Sequence, residues 1–352
     1  MLTNETSQKV LTIGCYFKHP HGGIAQVLAN YQKYVFPTFK AIVNSRRNSG
    51  VKNAWYAISG IVLTFWRLTF DRNIKLVHIH TSSNHSFQRS VLFAHIAKCF
   101  GKKVIMHVHS GAFKDYVSGH DDFVRKQLNR VDGIIALSES WKSFFVNELQ
   151  CEHVYVLNNV ISPPLSGGKS VNHDGLSLLF LGLIQKQKGI YDLIDVVHKC
   201  ARDGVNVKLN IGGNGEVERL KELINELSLQ NNVIFHGWVS GEQKAQLFRN
   251  NDVLVLPSYY EGLPLSVVEA FSYGKPVIAS SVGAIPEIVL HGQNGFLIQP
   301  GDVEALQQCI IQLEANQGLL NSMANHASEA ALHFLPDFVS TQLEKIYKSV
   351  LS

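Results

Sequence analysis

The sequence predicts an α/β protein of two domains, each a parallel sheet covered by helices. Three observations predict it. The chain has 352 residues, more than one ordinary core takes and suited to two domains of ~150–170 each. Apolar strand-like runs alternate with helical patterns along its length. One stretch rich in Pro, Gly and Ser, "ISPPLSGGKSVNHDG" (Ile161–Gly175), reads as a linker between two such series.

In the first series the strand candidates are Val10–Cys15, Leu76–His80, Val104–His109, Gly133–Leu137 and Val154–Leu157. Helical patterns such as "GIAQVLANYQKYV" and "HSFQRSVLFAHIAKCF" lie between them. The second series runs "LSLLFLG", the helix "IYDLIDVVHKC", "NVKLNIGG", the helix "EVERLKELINELSL", "NVIFHG", "DVLVLPS", "PVIAS" and "GFLIQP". Val217, Leu220, Leu223, Ile224 and Leu227 fall on one helical stripe. The closing "DFVSTQLEKIYKSVLS" reads as a terminal helix. The boundaries expected are 1–165 and 175–336, with a closing helix over 337–352. Ligands of open α/β sheets bind beyond the carboxyl ends of the strands, so two such edges are expected to face each other across a cleft.

Charge divides unevenly. Residues 1–165 hold nineteen basic side chains against nine acidic, a net +10, and the remainder thirteen against nineteen, a net −6. A basic half attracts anionic surfaces such as lipid headgroups, nucleic acid or a phosphorylated acceptor. The five cysteines (Cys15, Cys99, Cys151, Cys200, Cys309) are scattered and form no CxxC, the pattern of reduced thiols in a cytosolic protein. "MLTNETSQKVLTIGCYF" has no basic stretch leading into an apolar run, so no signal peptide is expected.

Residues 54–66, "AWYAISGIVLTFW", are too few to span a bilayer, which takes ~20 apolar residues. Arg46, Arg47, Lys52, Arg67 and Arg72 flank them, and Trp55, Tyr56 and Trp66 sit near the ends, as in a helix lying in a membrane interface. A helix half buried on the sheet fits the same pattern and is the preferred reading.

"PSYYEGLPLSVVEAFSYGKPVIAS" (Pro257–Ser280) carries the strongest chemical signal. Pro264 suits the first turn of a helix and Gly274 its end. Glu261 then lies in the loop before the helix, and Glu269 about a turn inside it. The N–H groups of Gly262, Leu263 and Leu265, around a Pro264 that has none, lack helical partners and form an anion site fit for a diphosphate. Gly262 lets a ligand approach the backbone. Carboxylates only accept hydrogen bonds, so their natural partners are hydroxyls. Two acids flanking a phosphate cradle suit a sugar joined through a diphosphate to a ribonucleoside. A helix-dipole preference alone accounts for Glu269 but not for the set.

Histidines crowd the first half. His78 and His80 alternate on one strand, His107 and His109 on another, so each pair faces one side. Neither HExxH nor a matching carboxylate–cysteine set accompanies them, so no metal site is expected. His78 and His107 read as hydrogen-bonded core histidines. "HPHGGIAQVLANY" puts Gly22-Gly23 between a strand and a helix. "GGNGE" (Gly212–Glu216) fails G-x-G-x-x-G and is not read as a dinucleotide fingerprint.

The E-x7-E within "YYEGLPLSVVEAFSYGKPVIAS", followed by "VGAIPEIV" and "NGFLIQPGD", resembles the retaining glycosyltransferases of the GT-B fold, specifically family 4, the bacterial polysaccharide-type group 1 enzymes. The first half matches more loosely, through "HGGIAQVLANY", "LVHIHTSS", "VIMHVHSGAF", "IIALSESW" and "VYVLNNVI". The resemblance implies that Glu261 contacts the donor sugar near the reacting centre and that Glu269 binds the ribose hydroxyls. It makes "LFLGLIQKQKGIYDLI" the diphosphate loop. Lys188 stands before the second Gly as in the family, but Leu183 occupies the usual Arg position, leaving Lys186 or the helix N-terminus to compensate. It places Gly22 and Gly23 beside the donor phosphates, His109 near the transferred sugar, and His80 and Ser110 on the acceptor side, and it implies that the closing helix 337–352 packs back on the first domain.

The function so implied is transfer of a sugar from a nucleotide-sugar donor, UDP- before GDP-, to a lipid-diphosphate-linked or oligosaccharide acceptor. Peripheral contact with anionic membrane at the cytoplasmic face is expected, with no cofactor, no metal and no nucleic acid. A nucleotide-sugar 2-epimerase of the same fold, a non-catalytic nucleotide-sugar-binding subunit and a nucleic-acid binder are the alternatives.

Overall fold

The computed structural model describes residues 1–19, 22–46, 50–165 and 174–352, with backbone alone over 50–52. Pro20, His21, Arg47, the Lys52 side chain and the middle of the linker (166–173) lie outside the described residues. The chain divides into two compact units, residues 1–162 with 333–352, and residues 163–332.

The first unit runs α1 (Asn4–Lys9), β1 (Val10–Cys15), α2 (Gly23–Asn30), β2 (Ala41–Ser45), α3 (Gly50–Phe70), β3 (Leu76–Thr81), α4 (His85–Cys99), β4 (Lys103–Val108), α5 (Phe113–Ser118), α6 (Asp121–Leu128), β5 (Gly133–Ala136), α7 (Glu139–Asn147) and β6 (Val154–Val156). All six strands are parallel, in the order β2-β1-β3-β4-β5-β6. The order reverses between β1 and β3, so the loops leaving those two strands diverge and open a crevice at the carboxyl edge.

The second unit runs β7 (Leu176–Leu181), α8 (Ile190–Arg202), β8 (Val207–Gly212), α9 (Val217–Glu226), β9 (Val233–Phe235), α10 (Gly241–Asn250), β10 (Val253–Leu256), α11 (Leu265–Ser272), β11 (Val277–Ser280), α12 (Ile285–Ile288), β12 (Gly295–Ile298), α13 (Val303–Ala315) and α14 (Gln317–Ala331). Its strands are also parallel, ordered β12-β11-β10-β7-β8-β9. The reversal here falls between β7 and β10. Both faces are covered, which is why β7, β10 and β11 are mostly apolar, without alternation, and wholly buried. On α9, Leu220 and Ile224 enter the core, with Leu223 and Leu227 packed at its margin. Two parallel six-stranded sheets in α/β arrangement match the fold class read from the sequence.

A closing helix, α15 (Pro336–Leu351), belongs to the first unit. The buried Tyr347 hydroxyl meets His78 Nδ1 at 2.7 Å. Glu344 accepts bonds from the Thr3 amide, from Thr3 Oγ1 and from Thr6 Oγ1 at 2.6–3.1 Å, tying α15 to α1. These bonds hold the Glu344 carboxyl below the usual range against the opposing effect of burial.

The half-buried expectation for residues 54–66 holds for one face of α3. Gly60, Thr64 and Leu68 face inward, and a Cβ at Gly60 would stand 3.2 Å from both the Val43 carbonyl and Phe93. The helix is longer than the apolar run, and its outer face is apolar too. No helix among the described residues is long and apolar enough to cross a membrane. All five cysteines are free.

Candidate active site

In the second unit the loops leaving β7 and β10 meet at the strand-order reversal. Strand β10 ends before Pro257, and α11 begins at Leu265 with Pro264 as its N-cap, one residue later than the sequence suggested. No side chain caps α11, so its N-terminus is open to an anion. Gly274, at φ +65°, ends the helix as expected. The loop after β7 holds a short 3-10 turn, Lys186–Lys188, closed by Gly189 at φ +67°. The Tyr259 amide donates to the Gln187 carbonyl at 2.9 Å, joining the two loops. A Cβ at Gly189 would lie 2.0 Å from the Pro257 carbonyl oxygen, so this approach needs glycine.

The sequence-predicted residues of this unit converge here. Lys188 Nζ lies 2.5 Å from Glu261 Oε1, and Ser258 Oγ donates to the same oxygen at 2.9 Å. Both charged side chains are largely buried, and opposite charges so placed stabilise each other more than on an open surface. Gly262, Leu263 and Pro264 carry the chain from Glu261 to the first amide of α11. Glu269 sits in the second turn of α11, also largely buried, with Lys244 of α10 at 2.5 Å from its Oε2. The amine neutralises the carboxylate. Lys186, weighed as a substitute for the missing arginine, is exposed, and Leu183 is half-buried.

Four supports escaped the sequence reading. Ser258 had no pattern to mark it. Lys244 lies on an amphipathic helix where a lysine reads as solvated. Gly283, at φ +57°, holds the Glu261–Gly262 turn: a Cβ there would fall 2.1 Å from the Glu261 carbonyl oxygen, and the next amide, Ala284, donates to the Gly262 carbonyl at 2.8 Å. The dismissed "GGNGE" buttresses the Lys188 loop. Ile184 donates to the Asn214 carbonyl at 2.8 Å and accepts from the Glu216 amide at 2.8 Å, while a Cβ at Gly213 would strike the Gly182 carbonyl oxygen at 1.9 Å.

In the first unit, Gly22, Gly23, His80, His109 and Ser110 gather at the carboxyl edge around the reversal between β1 and β3. Gly22, at φ +109°, caps α2, and a Cβ at Gly23 would meet nothing within 4 Å. The His109 amide donates to the Thr81 carbonyl, seating it beside β3, and His80 Nδ1 lies 2.9 Å from His109 Nε2. Ser110 Oγ lies 3.2 Å from Ser83 Oγ, a second hydroxyl unmarked by the sequence.

The in-register pairing of His80 with His107 puts all four histidines on one face of the sheet. Burial, reinforced for His78 by His109, drives the His78 pKa down to about 3; burial likewise takes His109 to about 3, and His80 and His107 fall well below the ordinary value. All four are neutral at pH 7. His109 can therefore exchange hydrogen bonds with a hydroxyl but brings no charge. His78 has the hydrogen bond expected of it, to Tyr347. His107 departs from expectation, since both its buried ring nitrogens lack hydrogen-bond partners; it is held instead by stacking on His78 and His109.

Ring nitrogens of His78, His80 and His107 lie within 4.8 Å of one another, the only such donor set among the described residues. His78 stacks on His80 and on His107 at interplanar angles of 25° and 12°. Stacked imidazoles carry their in-plane lone pairs side by side, so one ion could be gripped only after the rings turned.

Residues 167–331 match the family model "Glycosyl transferases group 1", nearly the whole second unit. The uncharacterized glycosyltransferase MJ1607 of Methanocaldococcus jannaschii is 31% identical over 180 residues, covering 51% of this chain and 46% of that protein. The poly(ribitol-phosphate) alpha-N-acetylglucosaminyltransferase of Staphylococcus aureus is 25% identical over 227 residues, 62% of this chain and 43% of that protein. Each of these matches thus spans less than half of the relative's length. Among solved structures, Anabaena HepE in complex with UDP superposes with a TM-score of 0.75 at 20% identity, over 97% of this chain and all of that one. By sequence, then, residues 167–331 form a Glycosyl transferases group 1 domain, in a chain that has the GT-B fold.

Proposed function

We propose that the protein is a retaining glycosyltransferase of family 4. In this reading it moves a sugar from a nucleoside-diphosphate donor, UDP- before GDP-, to a hydroxyl of a lipid-linked or oligosaccharide acceptor in cell-surface polysaccharide synthesis (capsule, O-antigen or exopolysaccharide). The observation that carries it is the pair Glu261 and Glu269 bracketing the uncapped start of α11, with Lys188 on Glu261. Lys188 and Glu261 neutralise each other, and a ligand that offers both diphosphate and sugar hydroxyls satisfies both partners at once. Lys188 and the α11 amides then meet the charge that leaves with the nucleoside diphosphate. Glu261 orients the sugar and Glu269 accepts from the ribose hydroxyls. The acceptor oxygen bonds to the anomeric carbon on the face from which the phosphate oxygen departs. Its proton passes to that phosphate, so configuration is kept. The basic first unit takes the acceptor, with His109, His80 and Ser110 as neutral hydrogen-bonding groups, and touches anionic membrane.

The group 1 match, the UDP of HepE and the α-linked product in the Staphylococcus aureus relative's name support this reading. The test incubates a panel of nucleotide-sugars with lipid-linked and soluble acceptors and reads products by mass spectrometry. A glycosylated acceptor with an α-linkage is expected. An epimerised sugar formed from donor alone, or donor binding without turnover on any acceptor, overturns it.

A further inference from the structure

Helix α3 leaves its outer face to solvent, and that face is apolar. Trp55, Ile58, Val62, Trp66 and Phe70 are 54–69% exposed. At 100° per residue the first four fall within an arc of about 80°. Burial of one side of a surface helix is ordinary; a helix apolar on both sides implies a second apolar contact.

Two further features suit that face to lipid. The hydroxyls on it are turned back onto the helix: Ser59 Oγ donates to the Trp55 carbonyl at 2.7 Å and Thr69 Oγ1 to the Phe65 carbonyl at 2.8 Å. Neither needs water to satisfy its proton, so neither resists transfer out of water. The two tryptophans also stand eleven residues apart on the same stripe, about 16 Å along the axis. Their ring systems suit the headgroup boundary.

Charge selects the occupant. No charged residue lies between Asn53 and Trp66. Arg67 stacks its guanidinium on Trp66 at 5.6 Å, and Arg72 is exposed just beyond the helix. The whole first unit carries a net +10, because residues 333–352 add two basic and two acidic side chains. Two copies meeting face to face would bring like charges together, whereas an anionic bilayer meets both the apolar stripe and the positive field.

We infer that α3 is the membrane-docking element: it lies in the headgroup layer of an anionic bilayer, with Trp55, Ile58, Val62 and Trp66 inserted and Arg67 and Arg72 on lipid phosphates. This names the lipid-facing surface of the function proposed above and rests on that reading only for its purpose, not for the contact itself.

The test sediments the full chain with vesicles of phosphatidylcholine, with and without phosphatidylglycerol. The protein is expected to pellet with the anionic vesicles at low salt, to be largely released by high salt, and to show blue-shifted tryptophan emission when bound. Ile58→Ser with Val62→Ser, both solvent-facing, should weaken partitioning about tenfold or more with an unchanged melting temperature. Undiminished partitioning of that variant, or no partitioning of the parent at low salt, overturns the inference. So does a dimer in sedimentation velocity that the variant dissolves, since a second copy would then cover the face. Calorimetry with nucleotide-sugar on the same samples separates the two readings: donor heat without vesicle binding sinks the docking element alone, and vesicle binding without donor heat sinks the proposed activity alone.

Discussion

Lys188 Nζ and Glu261 Oε1 stand 2.5 Å apart although 73 residues separate them in the chain. Each belongs to a loop leaving a different strand, and the two strands flank the reversal in strand order. In the proposed reaction Lys188 meets the departing diphosphate. Lys188→Met should lower turnover about a hundredfold or more, with a smaller loss in donor affinity, as read by product formation at saturating donor and by calorimetry. Undiminished turnover would remove Lys188 from the mechanism.

In the proposed reaction Glu269 holds the nucleoside rather than the reacting sugar. Glu269→Ala should weaken nucleotide binding about tenfold to a hundredfold. The loss should be of similar size for the nucleoside diphosphate and for the sugar-bearing donor. A loss confined to the sugar-bearing compound would reassign the residue. Lys244→Met should weaken the same binding by less, and its effect should shrink in a Glu269→Ala background. A double-mutant cycle measures that coupling.

Gly283 acts through the turn it supports. Gly283→Ala sets a methyl group against two carbonyl oxygens of Glu261 and Gly262 in a left-handed backbone conformation. It should cost about 1–3 kcal/mol in stability. Turnover should also fall by more than donor affinity, because the displaced residue is Glu261 rather than Glu269. Thermal melts with paired kinetic and calorimetric measurements separate the two effects. Equal losses in both would argue for a merely structural role.

The histidine stack makes stability depend on acidity. His78 and His109 titrate near 3 in the folded protein, against an ordinary 6.5. Between those values the unfolded chain binds more protons, so stability is full above about pH 6.5 and declines as pH falls towards 3. Melting temperatures recorded from pH 7 downward should fall steeply over this window. His107→Leu removes a ring that has no hydrogen bond to lose, and should flatten the slope. A slope unchanged by that substitution would place the acid sensitivity elsewhere.

Much of this was legible in the sequence where the signal is local. Alternating apolar runs and helical stripes gave the two α/β series, because each element's period is written in consecutive residues. Glu261 and Glu269 were legible because a strand end, a Gly-Leu-Pro and a helix start stand together. Strand order was not, since pairing such as β7 with β10 joins segments some 75 residues apart. Lys244 and Tyr347 were missed for the same reason: each matters through a partner on a distant element. "GGNGE" fits no ligand-binding pattern because its glycines serve to let one backbone lie against another. The four histidines were legible as two same-face pairs, but their stacking depends on the register that sets His80 beside His107.

The bond between Thr3 and Glu344 has a consequence for how the protein is made. Residues 163–332 are an insert within the chain of the first unit, and the helix that covers His78 is translated after them. On the ribosome the inserted unit can finish folding first, while the earlier-synthesised sheet waits with its histidine row uncovered. A chain stalled before residue 336 would therefore hold a complete second unit while the first stays unsealed, an aggregation-prone species.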